Sequence, residues 1–407
     1  MAKVWIVNPF DPLPGDPEQP GRYATLARLL RGAGHDVTWW TSSFSHRFKK
    51  PVAQSPIYHT CRGENINIQF IDTPSYKTNV SLRRIAAHRV YASQFERRAR
   101  MMAPPNVVVA SNPPPDGTAA AARVAKFHGA RLVVDVQDIW VDNFRQFLPS
   151  MVRWAWPMLL RPWITASRSA YGAADAVVGV ADGYADEPVK YGRSDYERHV
   201  IPLGIDLDSF DAAAARGRCL IEEKRPGEIW VIYSGSYSRG YDVLTAASVA
   251  AKMAPEHPNL RFIFSGRGEL QGQVQRILRG VPRVTFLGFA PFDDWAATVR
   301  RCDVGWNAIR PETLILFPNK VFYYWAAGLA VLNSIPGQCA DIVGESGTGV
   351  SYEAGNVEDA CRSLGELIAD PDRLAERCGV ARQMSVDTWD RKKLYRGYVE
   401  LIERLAG

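Results

Sequence analysis

The sequence predicts an α/β protein of two doubly wound, Rossmann-like domains, and three observations carry that reading. Six short apolar strands alternate with helical stretches in the first half, and six more do so in the second. Residues 212–227, between the two series, are polar and lack strand pattern, which places a boundary within 182–228. At 407 residues and 46% hydrophobic content, the chain is long enough for two or three domains, each with its own core.

The first series reads 3–8, 35–40, 66–71, 106–110, 131–136 and 176–181. The second reads 228–234, 260–265, 283–287, 303–307, 329–333 and 349–352. Most are rich in Val, Ile or aromatic residues and carry little charge, as strands buried on both faces require. Between the first two, residues 24–33 (ATLARLLRGA) predict a helix that Gly34 closes, since glycine adopts the left-handed C-terminal conformation without penalty. Two such domains are expected to face each other across a cleft. Their ligands are expected at the carboxyl ends of the strands, so chemistry should reside in the loops that follow them.

Composition removes several classes of function. With 16 Phe, 16 Tyr and 12 Trp, disorder is disfavoured. No apolar run approaches the roughly 18–20 residues of a spanning helix. The N-terminus turns strand-like at once, with no secretory leader pattern, which points to the cytoplasm. The six cysteines include no C-x-x-C pair and the seven histidines no H-E-x-x-H, so no metal is expected. Charge is uneven: residues 1–204 hold 25 basic and 17 acidic side chains, residues 205–407 hold 24 and 26. Within 77–100, seven basic residues, Arg83, Arg84 and Arg89 among them, face Glu96 alone. Such a segment suits phosphates or acidic lipid, or is a solvated helix face. No nucleic-acid-binding motif accompanies it, so nucleic acid is not an expected partner.

Four loops stand out. The first, residues 8–22, is rich in Pro and Gly and carries Gly15, Gly21 and Arg22 into a helix. It can present backbone amides to an anion, or be a plain surface loop. In WVIYSGSYSRGYDVL, a strand ends, turns at Gly235 and Ser236, and meets Arg239 just before a helix. Helix dipole, turn amides and a guanidinium fork suit a diphosphate, although a surface arginine reads the same way. FIFSGRGE repeats the strand–turn form with Arg267. In ETLILFPNKVFYYWAAGLAVLNS, Pro318 suits a helix start, Asn319 follows, and Lys320 lies in the first turn. A cation there opposes the helix dipole, and an adjacent anion would resolve the conflict.

In this order the segments resemble the GT-B-fold glycosyltransferases of family 4, notably the branch that builds bacterial surface polysaccharides, capsule and lipopolysaccharide. The resemblance runs from GRYATLARLLRGAGHDVTWWTSSFSH through VQDIW, ADAVVGVADGYADEPVKYG, VIPLGIDLDSF and the loops above, with VTFLGFAPFDDWAATVRRCDVGWN before the last. It implies transfer of a sugar from a nucleotide donor to an acceptor hydroxyl with retention of configuration. It also implies an acceptor-binding domain over 1–204, a donor-binding domain over 205–385, and a final segment, 386–407, returning to the first as a helix. The nucleotide-sugar is a substrate, and no cofactor is implied. Arg239-Gly240 matches the family's Lys-Gly, while Ser236 stands where its Arg would be. Tyr323 and Ile315 stand where the family has glutamates. Glu312 could be displaced into that role. Base contacts are expected around Phe289.

Asp138, after the fifth strand, could orient or deprotonate an acceptor hydroxyl, or simply cap a helix. The stretch MVRWAWPMLLRPW carries Trp154, Trp156 and Trp163 among arginines. That mixture suits a lipid interface, or an ordinary packed helix pair. With the basic segment it predicts peripheral contact with anionic membrane, hence a lipid-linked glycan acceptor. Two alternatives are a sugar-nucleotide epimerase of the same shape and a degenerate, non-catalytic binding protein.

Overall fold

The computed structural model describes residues 1–13, 21–52, 59–60, 65–78, 81–147 and 150–407. It divides into two units, one made of Met1–Leu203 with Leu394–Gly407 and the other of Gly204–Lys393.

The first unit is built on eight strands: β1 (Lys3–Val7), β2 (Asp36–Ser42), β3 (His59–Thr60), β4 (Asn67–Ile71), β5 (Val107–Asn112), β6 (Arg131–Val136), β7 (Ala176–Gly179) and β8 (Glu197–Val200). They lie in the order β8-β7-β6-β5-β1-β2-β4-β3. All pairs are parallel except β3 with β4. The chain winds outward from β1 in both directions, so its switch point lies between β1 and β5. Val4, Ile6, Val107 and Val109 at the centre are fully buried, which explains the unbroken apolar runs. Strand β8 (ERHV) escaped the sequence reading because it is a charged, half-exposed edge.

Around this sheet lie α1 (Arg22–Gly32), α2 (Leu82–Ala99), α3 (Pro115–His128) and α4 (Arg161–Ala173). Helix α1 starts two residues before the predicted 24–33 and ends with Gly34 at φ +85°, the glycine stop read from the sequence. The Ser81 hydroxyl accepts the Arg84 amide at 3.2 Å and so caps α2. Helix α2 packs on α3, and α3 on α4.

The second unit carries β9 (Ile229–Ser234), β10 (Leu260–Ser265), β11 (Val284–Gly288), β12 (Val304–Asn307), β13 (Ala330–Asn333) and β14 (Gly349–Ser351). Their order is β11-β10-β9-β12-β13-β14, all parallel. The switch point lies between β9 and β12. Helices α5 (Val243–Glu256) and α6 (Asn319–Ala327) follow β9 and precede β13.

The chain re-enters the first unit at Leu394 rather than at 386, and its last stretch is not one helix. Trp389 stacks on Trp325 at 5.7 Å and its carbonyl accepts the Ile205 amide, so this segment belongs to the second unit. After a short turn at Arg391–Leu394 comes α7 (Arg396–Ala406), whose Tyr398, Leu401 and Ile402 join the core around Val4 and Val107. Burying each such side chain contributes about 1.5–3 kcal/mol. Among the described residues, no helix is long and apolar enough to cross a membrane.

Candidate functional site

Consider first the strand ends of the second unit. The Gly235 amide donates to the Ser265 carbonyl at 2.9 Å, and the Gly266 amide to the Gly288 carbonyl at 2.8 Å. Three successive turns are thereby laced through backbone alone. A Cβ at Gly266 would lie 1.8 Å from the Gly235 carbonyl oxygen, and one at Gly268 would lie 2.4 Å from that of Tyr237. The glycines of SGRG are thus required by close approach of the two loops.

Helix α6 is fixed above this edge. The absence of a side chain on Gly305 lets the Tyr324 ring lie on β12, within 2.4 Å of where a Cβ would stand. The Tyr324 hydroxyl accepts the Ser234 amide at 3.1 Å. One turn earlier, Lys320 reaches the switch point. Its Nζ lies 3.0 Å from the Cβ position of Gly235, with the rings of Tyr233 and Tyr241 at 5.1 and 4.6 Å. That nitrogen is sealed from solvent and has no hydrogen-bond partner among the described residues. Burial pushes its pKa down to about 7, because a desolvated ammonium without a counter-charge is disfavoured.

Other predicted residues spread around this point. Pro318 is the buried N-cap of α6 and Asn319 is its exposed first residue. Ser236 is exposed, and its carbonyl accepts the Tyr233 hydroxyl at 2.7 Å. The Arg239 side chain is 88% exposed, 3.8 Å from Glu269. With Tyr241, Leu244, Gln273 and Arg310 it lines a cavity of about 460 Å³. Arg267 and Phe289 are both exposed beside Gly288. Glu312 is exposed and pairs with Arg310 at 3.4 Å; its own amide, then Arg310, hold its carboxyl below the usual range. Tyr323 packs against Phe210, Phe292 and Trp295, at 6.1, 6.2 and 5.4 Å.

In the first unit, several expectations meet a different arrangement. Gly15 lies outside the described residues. Gly21 stands against Asp11, whose carboxylate accepts the Tyr23 amide at 3.1 Å. The start of α1 therefore already faces a negative side chain. Arg22 is not at a ligand edge: it is buried on Asp135 at 2.7 Å, and donates to the Ile201 carbonyl and the Tyr395 hydroxyl, both at 2.9 Å. It clamps the returning segment to the sheet. Trp163 is core, packed on Trp140 and Phe144, with its indole donating to Asp116 at 3.2 Å. Trp156 is half-buried beside Arg145. Of the three tryptophans only Trp154, at 80%, is exposed. Arg83 and Arg89 are exposed on α2, but Arg84 is buried over the Trp140 ring at 4.4 Å.

Arg84 belongs to a cluster at the strand ends that includes Asp138. Asn143 donates to Asp138 at 2.6 Å, yet burial outweighs this bond, the Ile139 amide and Arg84, and raises its pKa to about 6. Nearby, His46 Nδ1 bonds the Tyr76 hydroxyl at 2.6 Å, and Lys49 Nζ lies 3.2 Å from the same nitrogen. His88 packs against Phe10 and Trp140 at 5.4 and 5.2 Å. Sequence reasoning missed His46, Lys49, Tyr76 and His88. They come from three separate segments, and no spacing joins them. Among the described residues, no group of three or more His, Cys, Asp or Glu is arranged to hold a metal.

Comparison with known proteins gives the class of enzyme. Residues 22–209 match the model described as Glycosyltransferase Family 4, and residues 228–370 match that for Glycosyl transferases group 1. Both models describe glycosyltransferases, and together they span most of the chain. No curated protein matches it in sequence. Among solved structures, this glycosyltransferase resembles a sucrose-phosphate synthase from Thermosynechococcus elongatus, with a TM-score of 0.73 at 15% identity, covering 100% of this chain and 99% of that one. Anabaena HepE in complex with UDP gives 0.67 at 16%, covering 99% and 100%. WaaG, a glycosyltransferase involved in lipopolysaccharide biosynthesis, gives 0.65 at 14%, covering 98% and 99%. At such identities the likeness shows the GT-B fold.

Proposed function

We propose that the protein is a retaining glycosyltransferase that moves a sugar from a nucleotide-sugar to a lipid-linked glycan in surface-polysaccharide assembly. The observation that carries this reading is Lys320: a sealed, unpartnered amine at the switch point of the second unit, beside glycine turns. An anion is what such a group lacks. The donor's diphosphate would supply it, and HepE has been solved with UDP and with UDP-glucose. In the transfer, the bond from the sugar's anomeric carbon to the diphosphate breaks as the acceptor oxygen bonds that carbon. Lys320, with Arg239 at the rim, stabilises the departing charge without a metal. Asp138 takes the acceptor's proton.

The deciding experiment is a thermal-shift panel of UDP, GDP, dTDP and their sugars, without metal and then with Mg²⁺. One base raising the midpoint, and losing that effect in Lys320→Met, supports the reading. Equal shifts in both proteins overturn the assignment of Lys320. No shift from any nucleotide favours the degenerate, non-catalytic reading, which draws on Tyr323 being packed among aromatic rings where the family has a glutamate.

The cytoplasmic face of the membrane is the proposed location. Leu82, Met151, Trp154 and Met158 are at least 75% exposed, and Arg83 and Arg89 are exposed on the same helix as Leu82. Ile85 of that helix packs on the cluster that also receives Trp156, so the two segments adjoin. Apolar side chains rimmed by arginines suit anionic lipid. Sedimentation with phosphatidylglycerol vesicles at low salt should retain the protein and release Trp154→Ala; no sedimentation of the parent refutes the membrane role.

A further inference from the structure

The cluster at the strand ends of the first unit holds more positive charge than a neutral sugar would need. Lys49 and Arg84 stand there beside Asp138, while the next carboxylate, Glu187, is paired with Lys190 at 2.8 Å. Tyr76 hydrogen-bonds both Arg84 and His46. Lys49 is held at φ +54°, with its Nζ turned over the Tyr76 ring at 4.8 Å. Phe10, His46, Lys49 and Asp138 are half-buried and form the accessible rim, while Tyr76, Arg84 and His88 are buried beneath. His88 is only 4% exposed, and neither ring nitrogen has a hydrogen-bond partner among the described residues. A buried imidazole left in that state costs free energy unless something else engages it.

We propose that this cluster seats a phosphate group of the acceptor, a mono- or diester docking on Lys49 and Arg84 with His46 and His88 as further donors. The proposal rests on the reading that the first unit receives the acceptor, and it names that acceptor's chemical class. A phosphate offers several acceptor oxygens and a negative charge, which matches a lysine, a guanidinium and imidazole donors together. Electrostatics at the site agree. Burial, Arg84 and Lys49 push His46 down to about 3, and burial, Arg84 and His46 do the same to His88, so both are neutral. Burial and Arg84 bring Lys49 down to about 8. An arriving anion favours the protonated form of all three, so binding should take up protons and weaken as pH rises through 8. Asp138, whose carboxyl titrates near 6, and Glu187, raised to about 7 by burial against the pull of Lys190 with Asp142 and Asp138 adding to it, become less repulsive as pH falls and act in the same direction.

Calorimetric titration of the full chain with inorganic phosphate, glucose 6-phosphate and glucose tests this. Both phosphates should bind and glucose should not. Lys49→Gln, at a half-exposed position, should weaken phosphate roughly tenfold or more. His88→Phe, which keeps the ring packing, should weaken it by a smaller factor. UDP binding, measured in the same variants, should be unchanged, which separates this proposal from the donor assignment. Phosphate binding that survives Lys49→Gln but disappears in Lys320→Met seats the anion in the second unit and overturns the proposal. Equal binding of glucose and glucose 6-phosphate, or no phosphate binding, overturns it too. A parallel arm uses phosphatidylcholine vesicles carrying a polyprenyl phosphate. Sensitivity to Lys49→Gln only on these vesicles assigns the phosphate to a lipid; sensitivity only with glucose 6-phosphate assigns it to a soluble sugar ester.

Discussion

The two units share one architecture and equip their strand ends in opposite ways. In the second, glycines clear the edge, backbone meets backbone, and a buried amine, Lys320, stands without a partner among the described residues. In the first, side chains crowd the edge and engage one another: His46 with Tyr76, Asp138 with Asn143, and Arg84 with the Trp140 ring. An edge made of backbone gives shape and a fixed point of charge, suited to a diphosphate of constant geometry. An edge made of side chains can be altered one residue at a time without disturbing the sheet beneath it, which suits a partner that differs between proteins of one fold.

That contrast can be broken experimentally. The largest effect belongs to Lys320→Met. Removing one preorganised cation from a dry site should lower kcat about 10²–10³-fold. The melting temperature should hold or rise, because the substitution also removes a desolvated amine. A large loss of stability would show that Lys320 holds the fold instead. Next comes Asp138→Asn, expected to cost about 10²-fold in kcat/KM. The parent enzyme should lose activity tenfold per pH unit below about 6, where its carboxyl takes up a proton. The variant should lack that acid limb, and a limb that persists assigns it to another group.

A smaller effect comes from Lys320 titrating near 7 in the free protein. A bound diphosphate raises that value. Nucleotide affinity should therefore be full below pH 7 and weaken by up to tenfold per unit above it, with proton uptake measurable by calorimetry in two buffers. Affinity independent of pH from 6 to 9 would break the pairing of amine and anion. The smallest effect is that of Arg239→Ala. Its guanidinium is 88% exposed and so screened by water. A loss of about tenfold or less in kcat/KM is expected, and a loss matching that of Lys320→Met would place both cations on equal footing.

Much of this was legible in the sequence, for identifiable reasons. Each of the twelve strands read from apolar runs overlaps a strand of one of the two sheets, since burial on both faces leaves a signal in every residue. Gly34, the helix stop read from the sequence, lies at φ +85°. Lys320 was singled out because a cation in a first turn contradicts the helix dipole, and a local rule broken at one position marks a site. Arg22 misled because a loop leading into a helix looks the same whether its arginine meets a ligand or Asp135, 113 residues away. Trp163 misled likewise: interleaved Trp and Arg do not say which ring faces inward.

The sequence by itself determined the two α/β domains, the order of their strands along the chain and the glycines at their turns. These follow from local periodicity and from backbone angles that one residue can fix. Only the tertiary structure decided which charges stand alone. Among the described residues Lys320 lacks a partner, and Lys49, Arg84, His88 and Asp138 meet, because parallel strands carry distant loops to one edge. Desolvation at that edge acts on groups that share a place in space and none in the chain.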